Sequence, residues 1–188
     1  VIGVLAFALT GLVEGVRKKA DLFGIGFLAF VTAFGGGTVR DLLLDRRPFF
    51  WVENEFWLWL IIGIAILAPF ILRSRFVELT SKTVKWPDAV GLGAFSANGT
   101  LIALESGESV LVAALMGVVT AAIGGIIRDL LLNRVPQAII DHEFYLVIAL
   151  AGGLLISLLG LLGITLAWAA VIAAILVTIT RMFAMTYG

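Results

Sequence analysis

The chain contains no cysteine. Disulfide bridges and thiolate metal sites are therefore excluded, and the redox compartment leaves no trace. Histidine occurs once, at His142, in a polar loop where a solvated ring is expected, and no set of residues has the spacing of a zinc site. No nucleophile stands beside a base in a catalytic pattern, so an enzyme is not expected and no cofactor is implied. Charge is scarce too: 14% of residues are Asp, Glu, Lys or Arg, where a soluble domain has about a quarter. The formal net charge is zero, and the basic footprint of a nucleic-acid-binding protein is missing, so no nucleic acid partner is expected.

What fills the chain instead is apolar. Hydrophobic residues make up 61% of it and the mean hydropathy is +1.12. So little polar surface cannot cover a fold in water, and the 188 residues read as a single transmembrane domain in a cell membrane, surrounded by lipid. A spanning helix needs about 20 mostly apolar residues. Seven stretches qualify: Val1 to Val16, Leu22 to Leu44, Glu55 to Leu72, Asp88 to Leu104, Ser109 to Leu132, Glu143 to Gly160 and Ile164 to Met182. The first opens on Val1 inside an apolar run without a basic leader or a cleavage site, and so reads as part of a spanning helix, not a signal peptide. Trp51, Trp57 and Trp59 crowd the start of the third and suit a membrane–water interface.

The chain repeats itself. Gly36-Gly37-Thr38-Val39-Arg40-Asp41-Leu42-Leu43-Leu44 returns as Gly124-Gly125-Ile126-Ile127-Arg128-Asp129-Leu130-Leu131-Leu132. The offset of 88 residues, the separation of Arg40 from Arg128, holds without a gap. It pairs Gly3 with Gly91, Gly11 with Gly99, Thr32 with Thr120, Pro48 with Pro136 and Glu55 with Glu143. The division is repeat one at 1–75, a linker at 76–87, repeat two at 88–162 and a terminal helix at 164–182 without counterpart. Three helices per repeat is an odd number, so the second must insert upside down. The expected fold is thus an all-α membrane protein of seven helices, two inverted three-helix repeats plus a seventh.

Basic residues set the orientation. Arg17, Lys18, Lys19, Arg73, Arg75, Lys82, Lys85, Arg134 and Arg181 fall on one side, and only Arg46 and Arg47 on the other. The richer side should be cytoplasmic, with the N-terminus outside and the C-terminus inside.

Glycine weakens a helix and lets backbone or an ion approach. The runs Gly35-Gly36-Gly37 and Gly124-Gly125 therefore read as breaks in the second and fifth spans, whose freed carbonyls suit a cation and whose freed amides suit an anion. The competing reading is close helix packing through small residues. Charges at membrane depth mark function by default. Neighbours on a helix point about 100° apart, so Arg40 is not expected simply to clasp Asp41, nor Arg128 to clasp Asp129. Each pair should line or gate one mouth of a polar path, or else snorkel and cap a helix end. Thr10, Thr32, Thr38, Ser96, Asn98, Thr100 and Thr120 either line that path or bond between helices, with the matched Thr32 and Thr120, and Asn98 opposite Thr10, the preferred liners. Glu14 is read as interfacial.

At these residues the chain resembles a known family. The doubled glycine–Arg-Asp-Leu-Leu-Leu motif, each copy followed by a proline in a seven-helix chain of this size, is similar to the prokaryotic trimeric intracellular cation (TRIC) channels grouped with the UPF0126 family. The resemblance covers nearly the whole chain. It implies a homotrimer with one path per protomer, conducting monovalent cations with potassium weakly favoured over sodium. It also implies that backbone carbonyls near Gly35, Gly36 and Gly124 face the ion. The animal members carry a lysine- and glutamate-containing motif here, so their phosphoinositide binding does not carry over. Members of the family have also been described as glycine transporters, and half-helix amides can hold a carboxylate. The second copy has Ile123 where the first has Gly35, so the halves need not be identical.

Overall fold

The structure, a computed structural model, describes residues 1–71, 81–140 and 144–187. His142 and the basic residues Arg73 and Arg75 lie outside them. Among the described residues the chain is helical throughout: α1 (Ile2–Arg17), α2 (Leu22–Leu43), α3 (Phe50–Glu53), α4 (Glu55–Ile71), α5 (Ser81–Glu105), α6 (Val110–Leu131), α7 (Gln137–Ile140), α8 (Tyr145–Leu161) and α9 (Leu166–Tyr187). Helices α2, α6 and α9 are each long and apolar enough to cross a membrane, and α4 and α8 are shorter apolar helices.

Local chemistry sets the helix ends. Asp21 accepts the Gly24 amide at 2.7 Å and starts α2, and Ser109, its partner in the repeat, accepts the Val112 amide at 3.5 Å and starts α6. After each helix the chain turns through a left-handed residue, Asp45 (φ 51°) or Asn133 (φ 53°), the residue types that tolerate that conformation best after glycine.

Three expectations about the helices need correction. First, α5 does not start at Asp88: it runs from Ser81, with Pro87 inside it. A proline removes one backbone bond, and here the packing of Ala89 and Leu92, both fully buried, holds the helix beyond it. Second, the polar loops contain the short helices α3 and α7, each beginning within two residues of a proline, Pro48 or Pro136, whose fixed φ favours a helix start. Third, α2 and α6 are not broken. Both stay helical through Gly35-Gly36-Gly37 and Gly124-Gly125. A glycine costs about 1 kcal/mol of helix propensity, which is too little to open a helix held on several sides.

The glycines place backbones in contact. A Cβ at Gly36 would collide with the carbonyl oxygen of Thr120, and one at Gly124 with the carbonyl oxygen of Thr32. Advancing four residues along α2 thus means retreating four along α6, so the two helices cross antiparallel. The same contacts recur elsewhere at the 88-residue offset. Gly11 abuts the carbonyl of Leu28 as Gly99 abuts that of Met116, and the Thr32 and Thr120 hydroxyls donate to those same carbonyls at 2.6 Å.

Helices α1, α2, α5 and α6 form the centre. Helix α4 packs on α1 and α2, α8 on α5 and α6, and α9 on α5 and α8. The interior is built of small residues, among them Ala29, Ala113, Ala121, Ala149 and Ala173. Large apolar side chains such as Phe23, Trp59, Leu111, Leu158 and Ile175 face outward. Lipid offers no hydrophobic force between helices, so close packing of small residues holds them together while bulky ones meet the acyl chains.

Candidate functional site

Beyond the crossing, α2 and α6 carry their charges away from each other. Arg40 and Arg128 each lie about 9 Å along the helix from the crossing, on opposite sides of it. All four charged residues are buried: Arg40, Asp41, Arg128 and Asp129 are each at most 5% exposed.

Each arginine does clasp its own aspartate, contrary to expectation. Arg40 donates from Nε and Nη2 to Asp41 Oδ1, at 2.9 and 2.7 Å. Arg128 Nε donates to Asp129 Oδ1 at 3.0 Å. The 100° between neighbouring Cβ vectors constrains the stem of an arginine but not its guanidinium, which swings on a long flexible chain. Away from water the nearest carboxylate wins, because an unpaired buried charge is costly.

The surroundings of the two pairs differ. At the Arg40 end lies a cavity of about 450 Å³, whose wall includes Gly37, Thr38, Arg40, Asp41, Trp51 and Asn98. Trp51 packs into this wall: its indole N–H donates to Thr38 Oγ1 at 3.1 Å, and its ring meets Phe30 edge-on at 5.5 Å. Thr38 in turn donates to the Phe34 carbonyl at 2.9 Å. Asn98 is exposed on the cavity wall.

The Arg128 end is nearly solid. The space among Asp88, Gly125, Arg128, Asp129, Tyr145 and Arg181 is about 10 Å³, scarcely room for one water. Arg128 Nη1 donates to Thr10 Oγ1 at 3.1 Å and lies 4.0 Å from Asp88 Oδ1. Tyr145 hydrogen-bonds Asp88, and Arg181 of α9 sits over the Tyr145 ring at 4.8 Å. The Gln137 amide at the start of α7 donates to Asp129 Oδ2 at 3.2 Å. Glu14 is buried, and accepts from Arg134 at 2.7 Å and from Arg17 at 2.9 Å.

The structure thus brings Gly37, Thr38, Asn98, Arg40 and Asp41 to one cavity and Arg128, Asp129 and Gly125 to the other end. It does not bring Thr32 and Thr120 to a hydrated wall. Both sit in the helix crossing, at most 1% exposed, with their hydroxyls bonded to their own helices. Gly35, Gly36 and Gly124 likewise belong to the crossing, and their carbonyls lie within unbroken helices. The helix breaks expected to free those carbonyls are therefore absent at these glycines. Sequence reading missed the parts played by Asp88, Tyr145, Arg181, Glu14 and Arg134. The available signal was charge balance: buried arginines require acids from other helices. No cluster of acids and histidines suited to a metal ion occurs among the described residues.

Fold and charges together define a multi-pass, all-helical membrane protein with a buried ion pair at each end of one helix crossing. A family model described as "Glycine transporter" matches residues 1–73 and 85–160. A UPF0126 membrane protein of Vibrio cholerae is 38% identical over 152 residues, 81% of this chain and 63% of that protein. The UPF0126 inner membrane protein YadS of Escherichia coli K12 is 35% identical over 158 residues, 82% of this chain and 73% of that one. The chain belongs to this family, the UPF0126 membrane proteins, and its match spans less than two thirds of the Vibrio relative's length. Its fold is that of solved TRIC cation channels. A TRIC trimeric intracellular cation channel orthologue from Rhodobacter sphaeroides superposes with a TM-score of 0.89 at 34% identity, covering 100% of this chain and 95% of that one. A structure described for conductance through TRIC cation channels gives 0.86 at 34% identity, over 98% and 90%.

Proposed function

We propose that the chain is a protomer of a homotrimeric monovalent cation channel, with one path per protomer running beside the α2–α6 crossing. The observation that carries this reading is the cavity that reaches the buried Arg40–Asp41 pair on one side of the crossing, with a second buried pair beyond it. Charge held at membrane depth without an enzymatic cluster suits ion passage, and the family's structural neighbours are cation channels. The path takes in Gly37, Thr38 and Asn98 at one end and Gly125 at the other, with Arg40, Asp41, Arg128 and Asp129 as its charged control points. Potassium, weakly favoured over sodium, is the proposed ion, and no cofactor is required.

The same reading takes α1, α2 and α4 as one repeat, α5, α6 and α8 as its inverted copy, and α9 as a seventh span. The antiparallel crossing and the contacts repeated at the 88-residue offset support it. The Arg128 end and the C-terminus face the cytoplasm and the N-terminus faces outward, with lipid around the apolar exterior.

Recording from purified protein in a planar bilayer under asymmetric KCl tests the reading. Unitary steps reversing near the potassium equilibrium potential are expected, and Gly37→Leu or Gly125→Leu should block them. A folded trimer that carries no current overturns it. A second reading follows from the family description: a buried Arg beside an Asp at an accessible cavity complements the carboxylate and ammonium of a small amino acid such as glycine. Saturable glycine uptake into liposomes, with no unitary current, would establish that reading instead.

A further inference from the structure

We propose that Glu14 and Arg134 form a latch that holds the Arg128 end shut, so that the protein is gated at that end. The inference rests on the reading of a path beside the α2–α6 crossing.

Glu14 stands in the last turn of α1, and Arg134 just after α6. Their 2.7 Å bond ties the two elements across 120 residues of sequence. The tie continues inward. Arg134 Nη2 lies 3.5 Å from Asp129 Oδ1, the same oxygen that accepts from Arg128 Nε at 3.0 Å. Arg128 closes the loop by donating back to Thr10 on α1. The chain of contacts runs Glu14, Arg134, Asp129, Arg128, Thr10. Otherwise α1 and α6 touch only lightly. Electrostatic contacts, not side-chain packing, therefore span this seam, and such contacts can part without unpacking a core.

The other end supplies an internal control. At the 88-residue offset Ile102 stands where Glu14 stands, Asn98 where Thr10 stands, and Arg46 where Arg134 stands. A leucine-sized apolar side chain cannot accept from an arginine. Arg46 is exposed, and Ile102 and Asn98 line the 450 Å³ cavity. The two ends share the Arg-Asp pair. They differ in this acid–base tie and in the Asp88–Tyr145–Arg181 group, and the end that has both is the closed one.

The test uses the absence of native cysteine. A single thiol is introduced at Gly37 or Gly125, where an added Cβ would meet only Arg40 Nη2 at 3.8 Å or Arg128 Nη2 at 3.7 Å. The protein is held in nanodiscs, where both faces are reachable, and its modification by a charged methanethiosulfonate is timed. Gly37→Cys should react quickly and Gly125→Cys slowly. Adding Glu14→Gln should speed Gly125→Cys roughly tenfold, as loss of a partly buried pair allows, and leave Gly37→Cys unchanged. Arg134→Gln in place of Glu14→Gln should speed Gly125→Cys as well, because it removes the other half of the same bond. An unchanged Gly125→Cys rate in the Glu14→Gln protein overturns the latch. So does an Arg134→Gln protein that elutes as native yet reacts as slowly as the unaltered one. Thiol rates that follow the expected pattern in a protein without unitary current would uphold the latch and reject conduction, so the two failures are distinguishable.

Discussion

Gly36 rests against the carbonyl oxygen of Thr120 with no space for a side chain between them, and Gly124 rests in the same way against Thr32. Two reciprocal backbone contacts fix the crossing on which the rest of the molecule hangs. Gly36→Leu and Gly124→Leu should therefore abolish the monodisperse folded protein, because the steric cost falls on backbone that cannot yield. Gly37→Ala and Gly125→Ala add a methyl that meets only a guanidinium at ordinary contact distance, and should hold or raise Tm. Thermal unfolding in detergent, followed by size-exclusion chromatography, separates the two pairs.

Arg40 and Asp41 face the cavity with opposite charges. Under the conduction reading, Arg40→Gln removes the positive member and should raise unitary cation conductance, while Asp41→Asn should lower it. Single-channel amplitude in symmetric KCl reads both. Equal and unchanged amplitudes would remove the pair from the path.

Asn98 is an exposed amide on the same cavity wall. Asn98→Asp places a carboxylate there, and acidic groups lining a pore favour cations. The reversal potential in a KCl gradient should move toward the potassium value relative to the unaltered protein. A shift toward chloride would place Asn98 away from the ion.

Arg128 sits among three acids or their hydrogen-bond partners: Asp129, Asp88 and, through Arg134, Glu14. Arg128→Gln takes from Asp129 and Asp88 the guanidinium that faces both, and removal of one partner from a buried ionic group costs about 3–5 kcal/mol. Its Tm should fall well below that of Arg40→Gln, whose carboxylate partner borders an open cavity.

Trp51→Phe tests the wall of the cavity. It keeps the ring against Phe30 and deletes the indole donor to Thr38, and should cost about 1 kcal/mol, the usual net worth of one hydrogen bond.

Much of this was legible from residues alone. Hydropathy and the 88-residue offset located all the long helices to within a few residues, except the start of α5. There Pro87 was read as a boundary, although one lost backbone bond does not end a helix whose following turns pack through Ala89 and Leu92. The Arg-Asp pairs were found because charge inside an apolar run is conspicuous. Their geometry was not, since periodicity describes Cβ directions and says nothing of where a long side chain ends. The glycine runs were read as breaks because composition cannot distinguish a helix that opens from one that is approached. Only the positions of Thr32 and Thr120 decide between them. Glu14 and Arg134 escaped notice because their bond joins elements 120 residues apart, and no local pattern marks it.

Helix α9 packs against α5 and α8 and brings Arg181 to the Tyr145–Asp88 group, with no matching addition at the opposite end among the described residues. A strictly two-fold duplicate would present the same energy profile to an ion from either side. The added helix makes that profile lopsided. Under the conduction reading, such a protomer is expected to rectify, with current at one polarity larger than at the other under identical solutions.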